Sequence, residues 1–277
     1  MPRPRPIQRD AVILHQQQVA RGIYWLALDV GGADAGSADA GGDEFPRPDP
    51  GQFVFLRVSE NWDPFLRRPM GVFGFRREGA QGILEILYQV VGRGTEILSG
   101  KHRGESIDVL GPLGRGFETQ GRRSRLLVAG GMGIAPLAFL AETSTGDDVF
   151  ILGCRSAREF PVDFLRERIG MPLRIATEDG SLGCAGLATD LAREAGGERE
   201  WDVEIAAAGP PAMLRALAEL CEAHDVRCQV SLEARMACGL GSCLGCAVPV
   251  RAPERYLRAC REGPVFEACD ICWETLP

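Results

Sequence analysis

The stretch from Cys238 to Cys260 reads CGLGSCLGCAVPVRAPERYLRAC, a C-x4-C-x2-C…C spacing that places Cys238, Cys243 and Cys246 in one short loop and adds Cys260 beyond it. This is a ligand arrangement for a plant-type [2Fe–2S] cluster, in which four thiolates bind two bridged irons and the loop wraps the inorganic sulfurs. Gly239, Gly241 and Gly245 suit such a loop, because a residue without Cβ lets backbone N–H groups come close and adopts positive φ at no steric cost. The chemistry expected is one-electron transfer. A zinc site and buried free thiols are the alternatives: zinc more often shows two C-x2-C pairs, and cysteines interleaved with glycines make poor core filling.

A chain of 277 residues is long enough for two or three domains. Its net charge of −7 disfavours a nucleic-acid partner, since a phosphate backbone selects basic surfaces. The start, MPRPRPIQRD, has no apolar run behind it and does not read as a signal peptide. No stretch approaches the roughly twenty apolar residues of a membrane span, so no membrane is expected. Ten cysteines, three of them in the cluster loop, fit a reducing cytoplasm better than a disulfide framework.

Up to about Gln120 the pattern is that of β-structure. Runs at Tyr24–Val30, Gln52–Val58, Gly82–Val91 and Ser106–Leu110 are separated by Gly and Pro, which predicts a small antiparallel barrel. Between Gly31 and Pro50 the chain lacks periodicity and reads as a mobile excursion. From Arg125 the period changes. LLVAG, VFILGC, LRIAT and VEIAAAG are short continuous apolar strands, mostly followed by helical stretches, which predicts a doubly wound parallel α/β domain covered on both faces. Met213, Leu214, Leu217, Leu220 and Cys221 fall on one helical face, so Cys221 reads as core. The resulting division is 1–120 for the barrel, 121–225 for the α/β domain and 226–277 for the cluster segment.

Two glycine loops bear on nucleotide chemistry. In AGGMGIAPLAFL, Gly130, Gly131 and Gly133 stand between a strand and a helix, where backbone N–H groups and the helix dipole favour a phosphate; a tight turn of any α/β domain is the alternative. AAAGPPAML puts Gly209 and Pro210 at the same carboxyl edge, where ligands bind in open α/β sheets. Within the barrel, Arg68 before Pro69 holds a charge on a rigid extended backbone, suited to a diphosphate or flavin. Gly92, Gly94 and Thr95 open a helix whose hydroxyl and N–H groups face a phosphate. A solvated arginine and an ordinary capped helix are the other reading of those residues.

The motifs R-P-x-x, Y-x-V-x-G-x-G-T, G-P-L-G-x-G-F, G-G-x-G-x-A-P-L, G-P-x-x-M, S-L-E-x-R-M and C-G-x-G-x-C-x-G-C occur in that order. In that combination the chain resembles the electron-transfer subunit of class 1B dihydroorotate dehydrogenase, a branch of the ferredoxin reductase superfamily, over essentially its whole length. The resemblance implies a FAD-binding barrel, a nicotinamide-binding α/β domain and a C-terminal [2Fe–2S] segment. It also implies an FMN-containing catalytic partner that oxidises dihydroorotate, in a heterotetramer of two of each subunit. Electrons would pass from that FMN through the cluster and FAD to NAD+, in pyrimidine biosynthesis, and no residue of this chain acts on dihydroorotate.

By position, the resemblance assigns FAD contacts to Arg68, Pro69, Met70 and Gly71, to Leu87, Tyr88 and Gln89, and to Gly94 and Thr95. It assigns NAD contacts to Gly131, Gly133, Gly209 and Pro210, and the cluster ligands to Cys238, Cys243, Cys246 and Cys260. The chain departs from the family pattern at Gly71, where Ser is usual, at Gln89, where a basic residue is common, and at Ala208, where the second nicotinamide loop usually begins with Cys. Cys269 and Cys272 are not expected among the ligands, and Cys154, Cys184 and Cys228 are expected to be buried thiols. A reductase subunit of a ferredoxin-, sulfide- or hydrogenase-linked complex would use the same parts, as would a cluster-bearing regulatory protein. SLEARM before the cluster favours the pyrimidine branch.

Overall fold

The computed structural model describes residues 5–31, 44–79, 81–119, 124–144, 146–251 and 255–276. Most of the expected excursion between Gly31 and Pro50 falls at 32–43, outside the described residues, as does the expected domain boundary at 120/121. Where the chain resumes, Phe45 is fully buried in the barrel core and its carbonyl accepts from Arg77 Nη2 at 3.0 Å.

Six strands close an antiparallel barrel: β1 (Ile7–Ala20), β2 (Ile23–Asp29), β3 (Phe53–Arg57), β4 (Arg68–Glu78), β5 (Gln81–Gln89) and β6 (Ser106–Leu113), in the order β1-β2-β5-β4-β3-β6. A short helix, α1 (Arg93–Ser99), connects β5 to β6. Alternation sorts the side chains by face, as the pleat demands. Val54, Leu56, Met70, Val72, Leu84 and Ile86 fill the barrel. Phe53 and Phe55 point outward and join a different apolar cluster that includes Cys246 and Cys260. β1 is the strand that sequence periodicity passes over. Only two of its side chains are buried, so alternation is hardly visible in its composition.

The second unit is a seven-stranded sheet in the order β10-β9-β8-β7-β11-β12-β15. Its strands are β7 (Ser124–Gly130), β8 (Val149–Cys154), β9 (Leu173–Thr177), β10 (Cys184–Ala185), β11 (Val203–Ala208), β12 (Cys228–Ser231) and β15 (Val265–Glu267). All neighbours are parallel except β12 and β15. Leu126, Val128 and Ile151 lie under α4 (Ala188–Gly197) and α5 (Pro211–Ala223), while Leu127, Ala129, Phe150 and Leu152 lie under α2 (Ile134–Ala141) and α3 (Val162–Ile169). Both faces are therefore covered, which is why these strands read as unbroken apolar runs. Cys221 is buried among Leu214, Leu217 and Leu220, as its helical spacing predicts.

After β12 the chain leaves the sheet for the cluster loop, forms a hairpin of β13 (Ala247–Pro249) and β14 (Tyr256–Arg258), and returns as β15 beside β12. The cluster segment is thus stitched to the sheet on both sides of its loop. Barrel and sheet units are joined by a buried carboxylate. Glu85 of β5 is 2% exposed and is bridged by Arg76 of β4 and by Arg168 of α3, whose guanidinium also lies 5.5 Å from the Trp25 ring and 5.7 Å from that of Phe73. A buried charge needs such partners, and with two guanidinium groups on it Glu85 keeps one if the other is taken away.

Candidate functional site

The four expected cluster ligands converge by two different routes. Cys238 and Cys243 are brought together by the turn between them, in which Gly239 and Gly241 take φ of 68° and 83°. Gly245 does not; the third left-handed position is Leu244, at φ 57°. Cys246 and Cys260 meet through the hairpin, where Ala247 pairs with Arg258 and the Ala259 N–H donates to the Cys246 carbonyl at 2.9 Å. Arg258 locks the two parts, donating from Nη1 to the Gly241 carbonyl at 2.9 Å while its Nε and Nη2 hold Glu262 at 2.9 and 2.5 Å.

Cys238 and Cys243 neighbour each other across the turn and Cys246 and Cys260 across the hairpin, and Cys260 feels the charge of Cys238 as well as that of Cys246. Among the described residues no three His, Cys, Asp or Glu side chains close on one ion-sized point. Two thiolates to each of two irons is the division a [2Fe–2S] cluster requires, whereas zinc calls for four donors around one ion. The electrostatics match. Burial pushes the Cys238 thiol up, but the backbone N–H groups of Leu240, Cys243 and Ser242 and the Cys243 thiol pull it down to about 6. The Ser242 N–H donates to Cys238 Sγ at 3.4 Å and the Gly245 N–H to Cys243 Sγ at 3.5 Å. Cys260 is pushed up to about 12 by burial and then by Cys246 beside it. A group of thiols that resist joint ionisation is one that bound cations would deprotonate outright. The donor set fits the cluster. Cys243 is exposed and Leu244 is 63% exposed, so the loop reaches the surface, while Cys246 and Cys260 are buried.

Cys269 and Cys272 stand apart: their sulfurs reach Asp270 at 3.9 Å and Glu274 at 3.6 Å. Cys228 is buried as expected, but Cys184 is exposed, because it sits on the two-residue edge strand β10. Cys154 is only half-buried and lines a cavity described below.

Of the residues expected at FAD, Pro69 and Gly71 lie on the outward face of the barrel. In the β3–β4 register Phe53 faces Gly71 and Phe55 faces Pro69. Met70 and Tyr88 turn the other way, into the barrel core, so only their backbones border that face. Tyr88 stacks on Tyr24 at 5.6 Å and donates to Gln16 Oε1 at 3.2 Å; burial first, and the Tyr24 charge second, hold its hydroxyl far above the ordinary phenol range. Leu87 is buried on the outer side and Gln89 is exposed at the end of β5.

Arg68 lies across the start of α1: a β-carbon on Gly94 would stand 2.7 Å from Arg68 Cδ and 2.8 Å from its Nη1. Its Nη2 donates to the Leu66 carbonyl at 2.5 Å, and among the described residues no carboxylate pairs with it. A cation left over the first turn of a helix suits a diphosphate. Thr95 acts differently from its expected role. Its hydroxyl donates to the Gly92 carbonyl at 2.8 Å and accepts from the Val91 and Gly92 N–H groups at 2.9 and 3.2 Å, so it shapes the turn and has no proton left for a phosphate. Arg68→Ala should therefore weaken FAD binding by about 10- to 100-fold, the worth of a charge-assisted hydrogen bond, with Arg68→Lys intermediate, as flavin titration of the apoprotein will show.

At the carboxyl edge of the sheet, an open cavity of about 600 Å³ is lined by Gly131, Met132, Cys154, Arg155, Glu178 and Pro210, among others, and by Ile23 and Gln89 from the barrel. It opens where the strand order reverses, between β7 and β11, the switch point at which open α/β sheets bind ligands. The two glycine loops are packed on each other. A β-carbon on Gly133 would come 2.1 Å from the Ala208 carbonyl oxygen, and one on Gly209, whose φ is 155°, 2.7 Å from Met213 Cε and 2.9 Å from Gly130 N. Gly131 is the glycine that faces open space. Sequence reasoning misses Cys154, Glu178 and Met213 as cavity residues; Met213 reads as core by its helical spacing, and the strand-end position of Cys154 is the available signal.

These regions adjoin through the Pro69–Gly71 face of the barrel. Gly71 stands 3.8 Å, measured from its would-be β-carbon, from Pro136 of α2, and a β-carbon on Gly239 of the cluster loop would meet the Phe55 ring at 2.5 Å. One barrel face is therefore flanked by the nucleotide sheet on one side and by the cluster loop on the other.

The iron–sulfur cluster binding domain of dihydroorotate dehydrogenase B, as a family model, matches residues 233–272. The dihydroorotate dehydrogenase B (NAD(+)) electron transfer subunit of Desulforamulus reducens is 39% identical over 279 residues, covering 96% of this chain and 98% of its own. That of Caldanaerobacter subterraneus subsp. tengcongensis is 41% identical over 264 residues, covering 94% and 97%. Among solved structures, the NADH-dependent reduced ferredoxin-NADP oxidoreductase, studied for flavin-based electron bifurcation, superposes with a TM-score of 0.79 at 28% identity over 96% of this chain and 91% of that one. A ferredoxin reductase in carbazole 1,9a-dioxygenase, at 18% identity and a TM-score of 0.65, shares the fold. With a barrel, a doubly wound sheet and a paired-thiol loop in the family's order and relatives matched from end to end, this chain belongs to the electron transfer subunits of dihydroorotate dehydrogenase B.

Proposed function

We propose that the chain carries electrons between an FMN-containing, dihydroorotate-oxidising catalytic subunit and NAD+, in a cytoplasmic heterotetramer of two of each subunit that serves pyrimidine biosynthesis. The observation that carries this reading is the placement of the Pro69–Gly71 face between the glycine loops of the sheet and the cysteine loop. Residues 1–120 hold FAD, with Arg68 balancing the diphosphate and with Pro69 and Gly71 on the outward face of β4. Residues 121–225 hold NAD(H), with Gly131 open to the ligand and Gly133, Gly209 and Pro210 shaping the floor. Residues 226–277 hold a [2Fe–2S] cluster through Cys238, Cys243, Cys246 and Cys260. The groups so held supply the redox chemistry: nicotinamide exchanges hydride, a cluster exchanges single electrons, and a flavin does both. No side chain of this chain is assigned as acid or base. What the protein does is orient the groups, exclude water from the buried pair Cys246 and Cys260, and tune potentials through N–H groups at sulfur.

The chain purified without oxygen should contain one FAD, together with two irons and two labile sulfides. It should oxidise NADH with an artificial acceptor and leave dihydroorotate untouched. Mixed with an FMN-containing catalytic subunit, it should couple dihydroorotate oxidation to NAD+ reduction. Zinc in place of iron, or dihydroorotate oxidation by the isolated chain, would contradict the proposal.

A further inference from the structure

The loop between β3 and β4 carries two large aromatic side chains in the open. Trp62 is 83% exposed and Phe65 70%, and their rings stack on each other at 5.7 Å with an interplanar angle of 8°. They form one wall of an open cavity of about 380 Å³ whose other lining residues are Arg57, Glu60, Asn61 and Arg67. Two stacked rings this exposed present a π-face on which a planar group can stack.

The loop is tied to the FAD-binding turn from both sides. Asp63, between the two rings in sequence, pairs with Arg93, the first residue of α1. Arg68 donates from Nη2 to the Leu66 carbonyl at 2.5 Å, while its own stem lies across Gly94. At its base the loop is held by Arg67, which bridges both oxygens of Asp108 on β6 at 2.5 and 2.8 Å. The aromatic pair is therefore not a loose tip. It is linked to the turn by the surface ion pair Asp63–Arg93 and by the Arg68 hydrogen bond to Leu66, and to β6 by the Arg67–Asp108 pair.

Direction along β4 supplies the rest. Gly71 lies against Pro136 of the nucleotide sheet. Three residues back along the strand, about 10 Å at some 3.3 Å per residue, Arg68 marks the diphosphate position, and Phe65 and Arg67, which precede it in the chain, line the Trp62–Phe65 cavity. A flavin dinucleotide bound with its ring at Gly71 and its phosphates at Arg68 would project its adenosine toward that cavity.

We propose that the Trp62–Phe65 loop receives the adenine of FAD, by stacking on an aromatic face, with Asn61 and Glu60 offering hydrogen bonds to the base edge. This rests on the assignment of FAD to the Arg68 face. Adenine matches the cavity chemistry in both respects: a π-face of any base stacks on an aromatic side chain, and an amide side chain such as that of Asn61 pairs with the amino and N7 positions of adenine. The arrangement also supplies a basis for choosing FAD over FMN, since FMN ends at its single phosphate and never reaches the loop.

The test compares FAD and FMN binding to the deflavinated full chain, by flavin fluorescence, in wild type, Trp62→Ala, Phe65→Ala, the double variant and Trp62→Phe. Stacking energies per base correspond to about a 10- to 100-fold effect. The double variant should lose about that factor for FAD and nothing for FMN, and Trp62→Phe should recover most of it. Cluster absorbance provides the check that each variant is folded. If the double variant bound FAD as tightly as wild type, the adenine would lie elsewhere and the inference would fail with the FAD assignment intact. It would fail in the same way if the only defect were weaker assembly with the catalytic subunit, since the rings would then form a protein-docking surface. Wild-type protein that bound neither flavin would overturn the FAD assignment itself, and this inference with it.

Discussion

Replacing Cys243 by serine is expected to strip the chain of its visible cluster absorbance, iron and labile sulfide while leaving FAD in place. Cys243 is paired with Cys238, so its loss leaves one iron with a single thiolate, and a serine hydroxyl ionises too reluctantly to replace a thiolate. The position is exposed, so the substitution removes no packing. Dihydroorotate-to-NAD+ transfer in the assembled enzyme should fall to background, while NADH oxidation with an acceptor that draws directly on the flavin should stay within about twofold of wild type. Equal loss of both activities in a folded, flavin-loaded variant would refute the electron path. Cys238→Ser, Cys246→Ser and Cys260→Ser should bleach the chain in the same way, the last two with lowered thermal stability because Cys246 and Cys260 are buried in the apolar cluster shared with Phe53 and Phe55. Cys269→Ser and Cys272→Ser, whose sulfurs face Asp270 and Glu274, should keep full colour. A Cys272→Ser protein without colour beside a coloured Cys260→Ser would show that the fourth ligand had been misassigned.

Gly133→Ala should lower NADH oxidation more than 100-fold with flavin and cluster spectra little changed. The added methyl would meet the Ala208 carbonyl at 2.1 Å and the Gly209 nitrogen at 2.6 Å. Both are backbone, so no side chain can swing aside. The loops must separate, and that displaces Gly131 and Pro210, which line the cavity on either side of the contact. Overpacking of this kind costs about 1–3 kcal/mol or more, which a calorimetric scan will register as a lower unfolding temperature of the sheet unit. Gly131→Ala makes the contrast. Nothing lies within 4 Å of its would-be β-carbon, and its φ of 50° costs an alanine only about 1 kcal/mol. That variant should fold nearly as well as wild type and lose affinity for NADH alone. If Gly133→Ala bound NADH normally, the two loops would not be the nicotinamide floor.

The sequence is informative wherever the physics is local. Cysteine spacing announces a thiolate loop because ligands close in sequence need only a turn to meet. The change from alternating to continuous apolar runs announces the passage from barrel to doubly wound sheet, because periodicity records how many faces of a strand are covered. Glycines at strand ends mark Gly133 and Gly209, where a turn that approaches another backbone excludes Cβ, and Gly131, whose φ is positive. In the cluster loop the same logic reaches two of three positions: Gly239 and Gly241 take positive φ, whereas the third left-handed residue is Leu244 and Gly245 needs no such freedom.

Other features become visible only with the chain folded. Resemblance names Cys260 as a ligand, but it is the β13–β14 hairpin and the Arg258 contacts that carry it to Cys246. Residue type offers Thr95 as a phosphate donor; the folded turn uses its hydroxyl to cap itself. Met70 and Tyr88 lie beside Pro69, Gly71 and Leu87 in sequence yet face the opposite way, because the pleat sends alternate side chains into the barrel. Most of all, nothing in the order of residues says that Phe55 touches Gly239 or that Gly133 rests on Ala208. A linear pattern reports which faces are apolar and which turns are tight. The pairing of one element with another far along the chain depends on the summed packing of the whole, and that pairing is what places the Pro69–Gly71 face between the cavity of the sheet and the cysteine loop.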